Sequence, residues 1–391
     1  MGKLAGLARE AVRRCRLLAA CTEHPGHITR TYLSPPMHEA HRLVRAWMES
    51  AGMQVRVDAV GNVRGVYGTG PRLMIGSHLD TVPDAGAFDG ILGVMMGIAL
   101  VESKPPCAVE VAGFAEEEGV RFGISFLGSL ALVGSPVMEP PVMEAIRAFG
   151  LDPAGIPEAA IGDEVRAFLE FHIEQGPVLA GVKRPVAAVE SIVGQSRAVA
   201  RFTGKANHAG TTPMEGRHDA LTAAAEWIVA VEAMGRATRG LVATVGRMDV
   251  EPGAANVIPG AARASLDVRH ARDAVRIDAV RHLRTQAQSI AQARGVECDW
   301  RVVSEETGTP MNRAMVDALG SAIRSAGYPD HRMISGAGHD AMILARKIPA
   351  AMLFLRTPNG VSHHPDEMVL TEDVEAALEV GVNFLESWRP Q

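Results

Sequence analysis

Histidine and acidic residues are concentrated in the stretch IGSHLDTVPDAGAFDG, residues 75–90, directly after an apolar run. It contains His78, Asp80 and Asp89, whose side chains ligate metals or exchange protons. A solvated turn can hold one or two such residues, but it does not require all of them. The stretch therefore indicates one side of a metal or acid–base site.

Three further groups of the same residue types follow other predicted strands: residues 116–118, which are all glutamate, His172 with Glu174, and His363 with His364. Imidazole and carboxylate without thiolate suit zinc, manganese, cobalt or nickel, and two metals that share a carboxylate need about five protein ligands. The five candidates are His78, Asp89, Glu118, His172 and His363. Because so many buried carboxylates would repel one another without cations, the sequence favours a pair of divalent ions.

Strands that alternate with helices must position these groups. Strands are predicted at QVRVDAVGNVRGVY, RLMIGSH, AVEVAGFAEEEG, AFLEFHIEQG and AAMLFLR, and a buried helix at GILGVMMGIALVES, where Met95 and Met96 are expected to pack in the core. The pattern predicts an α/β fold with a mixed, largely parallel sheet and helices on both faces. Each polar group then lies at the carboxyl end of a strand, where open α/β sheets bind ligands.

The order of predicted elements changes in the middle of the chain. From about Gln195 the order of predicted elements is β-α-β-β-α-β, the ferredoxin-like α+β arrangement. Residues 194–303 are therefore predicted to form an inserted domain, and residues 1–193 and 304–391 a discontinuous catalytic domain. The proline-rich segment 136–157 receives no predicted position.

Composition narrows the class of protein. The chain has 391 residues, a net charge of −6 and only 4% aromatic residues, so it has neither the basic stripe nor the stacking platform of a nucleic-acid-binding protein. The longest apolar run, residues 90–101, is too short to span a bilayer. The four cysteines form no Cys-x-x-Cys pair, which favours a reducing cytosol. We expect a soluble, cytoplasmic protein whose partners are small molecules or other proteins.

Seven ordered motifs carry a family resemblance: GSHLDTVPDAGAFDG, FAEEEGVRFGISFLGS, FHIEQGPVL, ANHAGTTPM, ANVIPG, SGAGHDA and GVSHHPDE. Together they resemble the family that includes N-carbamoyl-L-amino acid hydrolase, allantoate amidohydrolase and β-ureidopropionase. This family is a branch of the aminoacylase and carboxypeptidase metallohydrolase superfamily. The resemblance runs from about residue 30 to the end of the sequence.

The resemblance implies roles for the acidic and histidine residues. It implies that His78, Asp89 and His172 hold one metal, and that Asp89, Glu118 and His363 hold the other, with Asp89 bridging. Asp80 would point back to the His78 imidazole. Glu117 would take a proton from the metal-activated water and return it to the leaving nitrogen. Glu116 would be a supporting or surface residue, or the base if the register were shifted by one.

The resemblance also implies a substrate-binding set. His208 would stabilise the oxyanion, and Gln175, Asn256 and Arg269 would bind substrate. Arg269 suits a bidentate grip on a carboxylate, and the backbone of Gly336, Ala337 and Gly338 could form an anion nest beside it. Because His208, Asn256 and Arg269 lie in the inserted domain, we expect the site to be complete only when the domains approach. We also expect a homodimer formed through that domain, and whether these residues act within their own chain or on the partner stays open.

Several alternatives remain at this point. N-carbamoyl-L-amino acids are the favoured substrates, and allantoate is the next. An aminoacylase or dipeptidase is less favoured, because His172 and the short spacing from His78 to Asp89 resemble the ureido-cleaving branch. A catalytically silent metal- or ligand-binding protein would not need Glu117 beside a ligand. The sequence does not select the metal, and it assigns no role to three other histidines, His218, His339 and His364.

Overall fold

The computed structural model describes residues 2–389 and divides the chain into two compact units. Unit 1 runs over Met1–Glu190 and Pro310–Gln391, and unit 2 over Ser191–Thr309. The predicted breaks, after residues 193 and 303, lie a few residues from these boundaries.

Strands and helices are distributed along the whole of the described stretch. The strands are β1 Gln54–Val57, β2 Val63–Tyr67, β3 Arg72–His78, β4 Ala108–Phe114, β5 Val165–Ile173, β6 Val186–Ile192, β7 Gly194–Thr203, β8 Asn207–His208, β9 Val242–Thr244, β10 Met248–Glu251, β11 Val257–Ile258, β12 Ala261–His270, β13 Glu297–Glu306, β14 Thr309–Pro310, β15 Arg332–Ser335 and β16 Ala350–Leu355. The α-helices are α1 Lys3–Ala19, α2 Pro35–Ser50, α3 Ile91–Glu102, α4 Leu127–Leu132, α5 Pro140–Ala148, α6 Val178–Val182, α7 Ala220–Ala237, α8 Asp273–Ala293, α9 Arg313–Ser325, α10 Asp340–Leu344 and α11 Thr371–Ser387.

A mixed sheet forms the centre of unit 1, in the order β1-β2-β4-β3-β5-β16-β6, with the short strands β14 and β15 both paired to β6. The four middle strands, β4, β3, β5 and β16, are parallel. The flanking pairs β1–β2, β2–β4 and β16–β6 are antiparallel. The predicted α/β fold is confirmed, and the parallel strands direct their carboxyl ends to one edge.

Helix α3 packs directly on this sheet because its sequence, ILGVMMGIALVE, is apolar on every side. All its residues from Ile91 to Val101 are buried, including Met95 and Met96. A Cβ on Gly93 would collide with the carbonyl oxygen of Phe171 in β5. Glycine therefore permits the close approach that holds the start of α3 against the strands.

The proline-rich segment that received no predicted position lies in unit 1 as α5 followed by a 3₁₀ turn over Pro153–Ala159. Its apolar residues join a core cluster that also contains Tyr32 and Val60. The carbonyl oxygen of Ala159 accepts a hydrogen bond of 2.7 Å from the buried Arg64. The segment is thus part of the core of unit 1.

Unit 2 has an antiparallel sheet in the order β10-β12-β7-β13, with β9 also paired to β12. Helices α7 and α8 contact one another and this sheet, and the core between them contains Phe202, Trp227 and Leu283. The Trp227 indole N–H donates to the carbonyl oxygen of Leu283 at 2.9 Å. The order of elements is that of the predicted ferredoxin-like arrangement, with its second strand divided into β9 and β10.

No helix among residues 2–389 is both long enough and apolar enough to cross a membrane. The cysteines are all free thiols.

Candidate metal centre

The candidate metal ligands of unit 1 lie at the carboxyl edge of the central sheet. His78 is the last residue of β3, and His172 lies near the end of the neighbouring parallel strand β5. Their Nε2 atoms are 3.5 Å apart. Asp89 immediately precedes the glycine that caps α3, and Glu118 follows β4. Parallel pairing therefore brings together residues that are distant in sequence.

The first group of ligand atoms belongs to His78, Asp89 and His172, all of them buried. One nitrogen or oxygen from each lies within 4.8 Å of the others. The His172 Nε2 is 3.3 Å from an Asp89 carboxylate oxygen. Two imidazoles and a carboxylate at these separations are a donor set that suits a divalent transition metal.

The second group consists of Asp89, Glu118 and His363, and their ligand atoms also lie within 4.8 Å of one another. The His363 Nε2 is 3.1 Å from Asp89 Oδ2 and 3.5 Å from a Glu118 oxygen. The His172 contact of Asp89 involves Oδ1 and the His363 contact involves Oδ2. The carboxylate thus spans both groups, the arrangement expected of a bridging ligand.

Main-chain carbonyl groups orient both buried imidazoles. The His78 Nδ1 is 3.0 Å from the carbonyl oxygen of Asp80, and the His172 Nδ1 is 2.9 Å from that of Ile173. A ring that donates from Nδ1 keeps its Nε2 lone pair for a metal. Both rings therefore present the nitrogen that the ligand groups require.

The carboxylate of Asp80, predicted to point to the His78 imidazole, also has partners on the backbone. It is 3.7 Å from the His78 Nδ1, whereas its two oxygens accept the backbone N–H groups of Glu117 and Glu118 at 3.0 and 3.1 Å. The backbone oxygen of Asp80, rather than its side chain, is the closer partner of the His78 ring. The side chain instead fixes the segment that carries the glutamates, because their N–H groups point toward it.

Burial and neighbouring charges shift the pKa values of several residues in this cluster. Burial, and then the charges of Glu118 and Asp340, raise the pKa of Glu117 well above its ordinary value. Burial raises the pKa of Glu118 to about 7, against the pull of His78. The hydrogen bond to Asp89 raises the pKa of His363 to about 8. Several carboxylates compete for few positive charges, and divalent cations would relieve this repulsion, so the residues fit the metals that the sequence predicts.

Glu116 and Glu117 have distinct environments although they are adjacent. Glu116 is fully buried, and its oxygens accept the backbone N–H groups of Tyr32 at 3.2 Å and Arg121 at 3.0 Å. Its φ is +54°, so the chain turns sharply there. Glu117 instead belongs to a group of potential ligand atoms with His78 and Glu118. Glu116 is thus a support for the loop rather than a surface residue, and Glu117 is the carboxylate near the candidate metals.

Gly90 links the ligand loop to α3 in a conformation that other residues rarely adopt. Its φ is +68°, and a Cβ at this position would collide with the imidazole of His78. Only glycine satisfies both the backbone angle and the contact with the ring. The Asp89–Gly90 pair is therefore shaped to place a carboxylate beside His78.

Gln175 lies directly against the candidate ligands. Its Nε2 donates to the two oxygens of Asp89 at 3.0 and 3.1 Å, and it is 3.3 Å from the His363 Nε2. Its Oε1 is buried and accepts no hydrogen bond from residues 2–389. A φ of +59° marks it as a strained position of the kind found at functional sites. The side-chain amide thus has an acceptor for which the described part of the chain supplies no N–H donor.

The glycine-rich loop after β15 differs in detail from the predicted anion nest of Gly336, Ala337 and Gly338. The Ala337 N–H donates to Ser335 Oγ at 3.2 Å, so it is used inside the loop. The same hydroxyl is 2.9 Å from the Nε2 of the buried His339, whose ring is 4.4 Å from that of His172. A Cβ on Gly338 would come within 3.0 Å of the Phe126 ring. The loop is packed against the metal-site segments, and its Ala337 N–H is not directed to a ligand.

His208 lies in unit 2, in a short ladder in which it pairs with Val257. Its Nδ1 accepts the Gly210 N–H at 3.0 Å, which leaves the hydrogen of a neutral ring on Nε2. The predicted substrate residue Asn256 adjoins this turn, and its carbonyl oxygen accepts the Ala209 N–H at 2.9 Å. The turn thus presents an exposed imidazole with an Nε2–H donor, the form that an oxyanion requires.

Arg269, the predicted carboxylate-binding residue in β12 of unit 2, is paired with Asp267. Its Nε and Nη2 donate to the two Asp267 oxygens at 2.9 and 3.2 Å. Gln195 and Arg197 bind the same carboxylate at 2.7 and 3.2 Å. A substrate carboxylate would have to share the guanidinium with Asp267.

Glu170 and Glu367 are two of the buried carboxylates near the centre that have no counterpart among the predicted site residues. Glu170 is fully buried and accepts the Ser77 hydroxyl and the Ala341 N–H, both at 2.9 Å. Glu367 is also buried, and burial raises its pKa to about 7. The motif GVSHHPDE contains Glu367, but nothing in its local pattern indicates that this glutamate is buried and the neighbouring Asp366 is exposed.

Comparison with known proteins places this arrangement in a family. The model of peptidase family M20/M25/M40 matches residues 74–387. An allantoate deiminase of Arabidopsis thaliana is 36% identical over 97% of this chain and 82% of its own length. An N-carbamoyl-L-amino acid amidohydrolase of Geobacillus stearothermophilus is also 36% identical, over 91% of this chain and 92% of its own.

Among solved structures, an amidase of the hydantoinase/carbamoylase family from Burkholderia multivorans superposes with a TM-score of 0.90. It is 30% identical and covers 97% of both chains. These matches confirm the resemblance drawn from the seven sequence motifs. The two named relatives have different substrates and the same sequence identity to this chain, so sequence identity favours neither substrate.

Proposed function

Because the chain belongs to peptidase family M20/M25/M40, we propose that it is a binuclear metal-dependent amidohydrolase that cleaves a linear C–N bond in small N-carbamoyl acids. N-carbamoyl-L-amino acids are the first candidates. The observation that carries the proposal is the convergence of two imidazole–carboxylate groups on the shared carboxylate of Asp89. We propose His78, Asp89 and His172 as ligands of one ion and Asp89, Glu118 and His363 as ligands of the other.

The remaining chemistry is assigned to residues of the chain. When bound, the two ions would lower the pKa of a water molecule and polarise the carbonyl group. Glu117 takes the proton of the attacking water on a carboxylate oxygen and delivers it to the departing nitrogen. The positive charge of the two ions would favour the ionised form of Glu117 and so oppose the effect of burial, which raises its pKa. Gln175 Oε1 is suited to accept an N–H of the ureido group.

Unit 2 and the glycine-rich loop of unit 1 contribute the other proposed roles. His208 donates from Nε2 to the oxygen on which negative charge develops, and Asn256 and Arg269 bind the substrate. The Gly336, Ala337 and Gly338 loop contacts the substrate carboxylate, with Ala337 serving as a spacer because its N–H is used internally. We propose that residues 194–303 act as a lid and dimerisation domain in a cytoplasmic homodimer.

Allantoate is the second candidate substrate, because the Arabidopsis allantoate deiminase matches 97% of this chain. Both substrates carry a ureido group and a carboxylate, which the same side chains could bind. The alternatives are an aminoacylase or dipeptidase and a protein that binds metal or ligand without turnover.

A substrate panel tests the proposal. The protein is reconstituted with manganese, zinc, cobalt or nickel and assayed with N-carbamoyl-L-amino acids, N-carbamoyl-β-alanine, allantoate, N-acetyl amino acids and dipeptides. We expect ammonia release from the ureido substrates and none from the acyl or peptide substrates. Amine release from the latter would favour the aminoacylase alternative, and bound metal without any turnover would contradict an enzymatic function.

A further inference from the structure

Glu367 connects the two loops that carry the shared carboxylate and the last ligand. Its Oε1 accepts the backbone N–H groups of Phe88 and Asp89, both at 3.0 Å, at the start of α3. Its Oε2 accepts the Ser362 hydroxyl at 2.9 Å, one residue before His363. One buried side chain thus connects its own segment to residues that lie 278 and 279 positions earlier in the chain.

The packing around Glu367 leaves it little freedom. Only 5% of its surface is exposed, and a Cβ at Gly86 would collide with its side chain. The Asp89 loop therefore closes over the glutamate as well as donating to it. A contact that is buried and hydrogen-bonded at both oxygens keeps its geometry better than an exposed ion pair.

His363 needs such support more than the other two histidines do. His78 and His172 each have an Nδ1 partner on the main chain, at 3.0 and 2.9 Å. No hydrogen-bond acceptor among residues 2–389 meets the Nδ1 of His363, whose side chain is 47% exposed. Metal-binding histidines are normally held through their second nitrogen. The orientation of His363 therefore depends more strongly on its backbone, where φ is +54°.

We propose that Glu367 is a positioning residue that sets the affinity of the second metal position, formed by Asp89, Glu118 and His363. It does so by fixing the Ser362–His363 backbone relative to Asp89, in place of the missing support on the His363 ring. The inference rests on the proposed function, since it assumes the two metal positions. The first position depends less on Glu367 because the strands β3 and β5 carry both of its histidines.

The test measures metal binding without substrate, by two-site titration with zinc or manganese and by metal content after dialysis. In Glu367→Ala we expect the affinity of the second equivalent to fall by about 10- to 100-fold and that of the first to fall less. Glu367→Gln should restore most of the loss, because its amide oxygen can accept both N–H groups and its NH₂ can donate to Ser362. The control Asp366→Ala, an exposed carboxylate one residue away, should bind both equivalents as the unmodified protein does.

Ser362→Ala removes only one end of the connection and should weaken the second equivalent alone, which keeps the inference testable if Glu367→Ala folds poorly. Equal loss of both equivalents in Glu367→Ala, or unchanged binding in both Glu367→Ala and Ser362→Ala, would overturn the inference. These outcomes leave the proposed function in place. If the unmodified protein binds no metal at all, the proposed function itself fails.

Discussion

At the scale of single residues, the candidate centre assigns different tasks to side chains of the same type. Three consecutive glutamates follow β4, and the structure separates them by their contacts. Glu116 accepts hydrogen bonds from backbone N–H groups in the core. Glu117 lies near His78 and Glu118, and Glu118 belongs to the ligand group that contains His363. The sequence can predict that one of the three is a ligand, but their separate roles depend on the turn at Glu116.

The Glu117→Gln substitution tests the proposed base. Glutamine keeps the size of the side chain but cannot take a proton, so we expect kcat to fall by about 10²- to 10⁴-fold while metal content stays unchanged. Steady-state kinetics on the best substrate of the panel, with metal analysis, measures this. Retained turnover would remove Glu117 from the mechanism.

Glu116→Gln is the matched control for that substitution. Its two oxygens each accept one backbone N–H, so the amide loses one acceptor and we expect a loss of about 1–3 kcal/mol in the free energy of unfolding. The kcat of the folded variant should stay near that of the unmodified protein. A collapse of kcat here, with Glu117→Gln still active, would assign the base to Glu116.

At the scale of elements, the strands were predictable and their long-range supports were not. The sequence patterns of β3, β4, β5, α3 and β16 predict both the α/β fold and the edge at which the ligands meet, because apolar periodicity is local. Glu170 and Glu367 are different, since their partners lie 171 and 279 residues away. Their burial results from packing between distant segments, and no local pattern contains that information.

Gly90→Ala tests the junction of the ligand loop and α3. The new Cβ combines a φ of +68° with a collision against the His78 ring, so we expect lower stability and a loss of bound metal. Gly70→Ala is the control, because its φ is +88° but no atom lies within 4 Å of the added Cβ. Metal content and thermal unfolding of both variants measure the difference. Equal metal content in the two variants would show that the contact with His78 is unimportant.

At the scale of the whole molecule, all five candidate metal ligands belong to unit 1 and none to unit 2 among the described residues. Each unit has its own core, and that of unit 2 includes Phe202 and Trp227. A ligand stabilises only the structure that binds it. Metal should therefore act on the unfolding of the two units unequally.

Calorimetry with and without metal tests this. At a free metal concentration of about 100 times the dissociation constant, we expect unit 1 to gain about 2.7 kcal/mol for each bound ion and its transition to move upward, while that of unit 2 stays in place. Phe202→Ala, which opens a cavity in the core of unit 2, identifies the second transition. Calcium, which requires more oxygen ligands, is the control ion. An equal shift of both transitions would contradict the assignment of the ligands to unit 1.

The division of unit 1 into two stretches of chain has a consequence for how the protein is made. Four of the candidate ligands are synthesised before unit 2, namely His78, Asp89, Glu118 and His172. The fifth ligand, His363, and its neighbour Glu367 are synthesised after unit 2. Domains fold as units during synthesis, and unit 2 is continuous in sequence. A nascent chain thus contains the residues of the first metal position long before those of the second, and the second position cannot form until the stretch after unit 2 has been made.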